Sequence, residues 1–169
     1  FIVKAVAESL RENILLNSSW SGDAILIKRR VNIGVAVATP TGLMVPVIHD
    51  ADTHTVAELS KILDRLANRA REGELELKDV KGGTFTLNNT GALGSVFSRP
   101  LVNPPQAAIL ATDLVVKRAV VIDDAIGIRS VMNLSITFDH RILDGADVSK
   151  FMNALSERLE DVGPETELH

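Results

Sequence analysis

The sequence contains no cysteine, which excludes disulfides, thiolate metal sites and any mechanism that holds an acyl group on a protein thiol. A cysteine-free chain is compatible with any compartment. It also lacks a long apolar run. No stretch approaches the roughly 20 residues needed to span a bilayer, and Phe1 begins directly inside an amphipathic pattern, so neither a membrane anchor nor a signal peptide is expected. Basic runs are short and the formal net charge is -4, which argues against a nucleic-acid-binding surface but leaves room for a local anion pocket. What remains is a chain of 169 residues, 46% hydrophobic and 24% charged, the makeup of one globular domain.

Val3, Val6, Ala7, Leu10 and Ile14 fall on one helical face from almost the first residue, without a capping residue before them. The chain reads as if cut from something longer. Val31 to Val37 alternate, "TPTG" supplies turn chemistry and "LMVPVI" resumes an extended run, which predicts a hairpin. Thr55 and Glu58 match a capping box. Val56, Leu59, Ile62, Leu63, Leu66 and Ala70 form the stripe of the following helix, and Gly73 ends it. In "GGTFTLNNTG", Phe85 and Leu87 face one way while Thr84, Thr86 and Asn88 face the other. The loop from Gly91 to Pro105 is long and rich in turn formers, which suggests function. "QAAILAT", "LVVKRAVVI" and "VMNLSITF" read as three more strands, with a turn at Asp123 to Gly127 joining the last two. Val148, Phe151, Met152, Leu155 and Leu159 mark a closing helix. Three helices flanking five or six strands predict an α/β fold, a mixed sheet with helices packed on one side. The domain covers residues 1–161, and 162–169 form a frayed tail.

Neither a P-loop, a Rossmann fingerprint nor an esterase elbow is present. His49 and His54 flank Asp50 and Asp52, a loop read as solvated rather than metal-binding. No metal is expected. His140 stands apart. It follows a tightly alternating strand and precedes a helix, the rigid mounting that a general base needs. Spacing alone favours a packed histidine, with Asp144 as a helix N-cap and Gly145 as a turn residue.

The whole string changes that reading. "DHRILDG", Asp139 to Gly145, matches a His-x-x-x-Asp-Gly motif and resembles the catalytic domain of dihydrolipoyl acyltransferases, the core components of 2-oxo acid dehydrogenase complexes. "FIVKAVAESL", "VNIGVAVATPTGLMVPVI", "GGTFTLNNTG" and "PPQAAIL" resemble further segments of that family, in the family's order, up to about Leu159. The resemblance implies a chloramphenicol-acetyltransferase-like two-layer sandwich. It implies homotrimers with each active site at a subunit interface, and larger cores of 24 or 60 subunits in the full-length protein. The implied reaction moves an acyl group between the thiol of dihydrolipoamide and that of coenzyme A. His140 is then the base that makes the thiolate, Asp144 and Gly145 support it, and Asp139 and Arg141 hold the loop.

The family commonly has a serine oxyanion donor on the "GGTFTL" strand, where this chain has Asn88. An amide NH2 is a competent donor, so Asn88 is the expected one, with Thr90 and Ser95 as weaker substitutes. The family also implies a further N-terminal segment that supplies a basic partner for the motif aspartate. Beyond it come a subunit-binding domain and lipoyl domains that carry the lipoyl group and engage the decarboxylase and dihydrolipoamide dehydrogenase components. The setting would be cytoplasmic in a prokaryote and the mitochondrial matrix in a eukaryote. Lys28 to Arg30, Lys117 and Arg118 are cations available to coenzyme A phosphates but are not assigned. Acetyl or branched-chain acyl groups are favoured over succinyl. The alternatives are a scaffold core without catalysis, and transfer to a small hydroxyl or amine acceptor.

Overall fold

The computed structural model describes residues 1–163 and 166; the expectation of a frayed tail falls largely outside them. The first helix, α1 (Ile2–Glu12), starts without a side-chain cap. It ends earlier than its stripe suggests, because Ile14 lies in a 3₁₀ turn (Ile14–Asn17) and is exposed. A short hairpin then forms from β1 (Ser18–Trp20) and β2 (Ile25–Ile27), absent from the sequence reading.

The expected hairpin from Val31 to Ile48 divides in two. β3 (Ile33–Val35) and β6 (Val47–Ile48) pair inside the central sheet, while β4 (Val37–Thr39) and β5 (Gly42–Met44) form a separate ribbon. Pro46, which has no N–H to donate to a ladder, separates β5 from β6. Its carbonyl accepts from Val35 N–H instead (2.9 Å). Next comes α2 (Val56–Glu72), whose capping box is formed as predicted: Glu58 N–H donates to Thr55 Oγ1 and Thr55 N–H to the Glu58 carboxylate. Gly73 closes it at φ 75°. A four-residue helix, α3 (Leu77–Val80), is an addition to the three expected.

β7 (Phe85–Asn89) lies parallel to β3 and to β8 (Ala108–Thr112), and β11 (Leu134–Phe138) runs antiparallel to β8. The resulting five-stranded mixed sheet has the order β11-β8-β7-β3-β6. Between β8 and β11 the sequence reading is corrected. Among the described residues β9 (Val116–Ile122) and β10 (Ala125–Val131) pair only with each other, so Ala125–Val131 is a strand rather than part of a turn leading into β11. The turn is Asp123–Asp124 alone, both at positive φ (49° and 62°), as a two-residue hairpin of matching twist requires.

One face of the sheet carries Ile33, Phe85, Leu87, Ala108 and Leu110 into a core shared with α1, α2 and α4 (Gly145–Glu160). Phe85 meets Phe151 of α4 with ring centroids 5.8 Å apart, and burying such a side chain contributes roughly 1.5–3 kcal/mol. The opposite face carries Thr86, Asn88, Ile109 and Ala111 by register. There Thr86 Oγ1 donates to buried Gln106 Oε1 (2.6 Å), which fixes the end of the Gly91–Pro105 loop under the sheet. The helices on one side and loops on the other give the two-layer architecture expected.

Candidate active site

The ladder between β11 and β8 ends at Phe138 opposite Ala108, and Asp139 N–H adds one rung to the Ala107 carbonyl (2.8 Å). The Asp139 carbonyl then accepts from the N–H groups of Ile142 (3.0 Å) and Leu143 (3.1 Å). The chain thus reverses within four residues. Ile142 and Leu143 are buried by that reversal, while His140 and Arg141 point outward. Arg141 folds back on the Asp139 carboxylate through Nε (2.9 Å) and Nη2 (2.6 Å), and its guanidinium lies 5.5 Å from the centre of the Trp20 ring. The side-chain hydrogen bonds from Arg141 hold the Asp139 carboxyl below its ordinary range. The two side chains thus pair with each other across the turn.

His140 packs its ring on Phe138, centroids 5.2 Å apart, and its imidazole makes no hydrogen bond among the described residues. Its nitrogens are open to a substrate. Its chain neighbours Asp139 and Arg141, with Trp20, Pro104 and Gln106, line a cleft of about 280 Å³ that His140 itself does not line. Sequence reasoning missed Trp20 and Gln106. The Ser-Gly turn signal at Ser21 and Gly22, between apolar residues, was the available pointer to the first hairpin.

Asp144 is the N-cap of α4. Its Oδ1 accepts from the N–H groups of Ala146 (2.8 Å) and Asp147 (3.2 Å), and Asp147 returns a carboxylate oxygen to Asp144 N–H (3.2 Å). The tight-turn role expected of Gly145 is corrected. It is the first residue of α4 without a positive φ, and a Cβ built there would meet nothing within 4 Å.

Asn88 is half-buried on β7, and its amide has no partner among the described residues, whereas Asn89 Oδ1 accepts from Ala92 N–H (3.2 Å). The structure does not bring Asn88 to His140 within one chain. Asn88 is level with Ala111, and Ala111 with Ser135. His140 is therefore two strands away and five residues further along, on the order of 10 Å across and 15 Å along the sheet. His49 and His54 turn to the Lys78 carbonyl and to Glu58 respectively.

Chemically, the turn presents an unencumbered imidazole on a rigid mount, and the polar face of the sheet presents an unencumbered amide donor. Similarity to known proteins extends along nearly the whole chain. The family of 2-oxoacid dehydrogenases acyltransferase (catalytic domain) matches residues 1–166. The lipoamide acyltransferase component of the branched-chain alpha-keto acid dehydrogenase complex of Bacillus subtilis is 45% identical over 100% of this chain. This chain spans 40% of that relative's length. A crystal structure of a probable dihydrolipoamide acetyltransferase from Listeria monocytogenes superposes with a TM-score of 0.97 at 44% identity, covering 99% of this chain and 72% of that one. The dihydrolipoamide acetyltransferase of Azotobacter vinelandii superposes at 0.91 with 35% identity, covering 95% and 67%; a serine, a histidine and an asparagine have been examined for their role in its catalytic mechanism. Chloramphenicol acetyltransferase, at 17% identity and a TM-score of 0.59, shares the fold. The chain belongs to the 2-oxoacid dehydrogenase acyltransferase family, as its catalytic domain.

Proposed function

We propose that this domain transfers an acyl group between the thiol of dihydrolipoamide and the thiol of coenzyme A. A free thiol of pKa about 8.5 is mostly protonated at neutral pH. His140, with both ring nitrogens unengaged, takes that proton, and the thiolate attacks the thioester carbonyl carbon. The carbonyl oxygen becomes an oxyanion, which the Asn88 amide of a neighbouring copy stabilises by a hydrogen bond. Collapse of the intermediate breaks the original carbon–sulfur bond, and the departing thiolate recovers the proton from His140. Both sulfurs belong to the substrates, in keeping with a chain that has none of its own in cysteine.

The observation that carries this reading is spacing joined to geometry. In the Azotobacter enzyme the serine, histidine and asparagine are separated by 52 and 4 residues. Asn88, His140 and Asp144 have the same two separations. Because Asn88 and His140 are too far apart to act together in one chain, the site is formed between copies, which favours the homotrimer and the 24- or 60-subunit core. The Bacillus relative's name favours a branched-chain acyl group. Lipoyl domains would deliver it, with a decarboxylase and a dihydrolipoamide dehydrogenase as further partners, in the cytoplasm of a bacterial host. A scaffold without catalysis is not favoured, since the imidazole and the amide donor are both available. The test is His140→Ala, expected to lower acyl transfer by about 10²–10⁴-fold; an unchanged rate refutes the assignment.

A further inference from the structure

The loop after β7 carries large apolar side chains into solvent: Leu93 is 79%, Phe97 62% and Leu101 87% exposed. Its root is nevertheless held by one buried carboxylate. Asp113, directly after β8, is 3% exposed. Its Oδ1 accepts from Ser98 Oγ (2.6 Å) and Thr90 Oγ1 (2.9 Å), while Ser95 Oγ lies 3.0 Å from Ser98 Oγ and donates to the Phe97 carbonyl (3.2 Å). Two further hydrogen bonds close the same knot. Leu114 N–H donates to the Ser95 carbonyl (2.7 Å), and Asn133 Nδ2 donates to the Val96 carbonyl (2.6 Å). Gly91 approaches so closely that a Cβ there would sit 2.5 Å from the Asp113 backbone carbon and oxygen.

The second carboxylate oxygen, Oδ2, is buried without a partner among the described residues. Burying a carboxylate is costly, and the sheet does not require it, since the last ladder pair is Thr112 with Leu134. An apolar contact would tether a loop without that penalty. What a carboxylate adds is direction: two hydroxyls from different parts of the loop are aimed at one oxygen.

Both hydroxyls bear on the site. Thr90 is two residues beyond Asn88, so its bond fixes the end of the strand that carries the oxyanion donor. Ser98 lines a cleft of about 500 Å³ along β11, together with Phe97, Leu101 and Ile136. We propose that Asp113 is a positioning residue. Clamping Ser98 and Thr90, it sets the shape of the apolar wall from Leu93 to Leu101 and so the discrimination among acyl groups. This inference rests on the acyl-transfer reading of His140 and Asn88.

The test uses the assembled full-length protein carrying Ser98→Ala, which cuts the clamp from the loop side, and Asp113→Asn, which keeps an oxygen for both hydroxyls. Two quantities are read: hydrogen exchange along Leu93–Arg99, and kcat/KM with dihydrolipoamide for acetyl-, isobutyryl- and succinyl-coenzyme A. Ser98→Ala is expected to raise exchange in that segment about tenfold while α2 is unaffected. It is also expected to compress the ratio between best and worst acyl donor about tenfold, through KM rather than kcat. Asp113→Asn should retain most of both. Unchanged exchange, or an equal loss for all three donors, overturns the inference. A wild-type protein that transfers none of the three overturns the functional reading and with it the specificity role, while exchange still decides whether the clamp exists.

Discussion

Aspartate and asparagine are both strong helix N-caps, because either side chain offers an oxygen to the first free N–H groups of a helix. Asp144 makes that use of Oδ1, and the Azotobacter enzyme has an asparagine at the same separation from its histidine. Asp144 therefore fixes where the turn ends and α4 begins. Asp144→Ala should cost about 1 kcal/mol of stability and Asp144→Asn only a few tenths, measured by urea denaturation. Equal losses from both would show that the charge, not the cap, is what matters. At this scale the sequence was half legible. His140 and Asn88 could be nominated because a motif and a strict alternation mark them. The contact of Arg141 with Trp20 was not, since the two lie far apart in the chain and a cation–π contact leaves no local pattern. Asp113 escaped for a related reason: the two hydroxyls that bond to it lie in a segment without periodicity.

The turn from Asp139 to Leu143 is the element on which the site depends, and its ion pair makes it sensitive to acid. The Asp139 carboxyl is lowered from its ordinary 3.8 first by the side-chain hydrogen bonds from Arg141. A lowered carboxyl stabilises the folded state above the ordinary value and loses that contribution as pH falls through the folded one. Stability measured by urea between pH 7 and pH 3 should therefore fall less steeply in Asp139→Asn than in the wild type; identical slopes would show that the pair contributes nothing. Helices α2 and α4 were readable because caps and stripes coincide with their ends. The ribbon of β9 and β10 was not. Among the described residues it pairs with no other strand, Val121, Ile126 and Ile128 are exposed alongside Lys117 and Arg118, and no buried face imposes an alternation from which its ends could be read. The hairpin from Val31 to Ile48 was found but not divided, since the break at Pro46 depends on which neighbour the strand pairs with.

For the molecule as a whole, the proposed mechanism and the separation of Asn88 from His140 together make assembly the condition for activity. Light scattering of the protein should give three times the chain mass or a multiple of it; a monomer would remove the shared site and with it the mechanism. The two-layer fold was legible because both patterns, helical stripe and strand alternation, point into one core, whereas the boundary between copies leaves no such mark on a single sequence. On the proposed mechanism that separation divides labour between chains. Losing an oxyanion donor costs about 10²–10³-fold in rate, so Asn88→Ala should be crippled alone, as should His140→Ala. Unfolded and refolded together in equal amounts, however, the two variants should regain about a quarter of the wild-type rate, because a ring joined head to tail places an intact imidazole against an intact amide at that fraction of its junctions. Two failed enzymes would restore one another, and a mixture as inactive as its parts would mean that each chain works with its own residues after all.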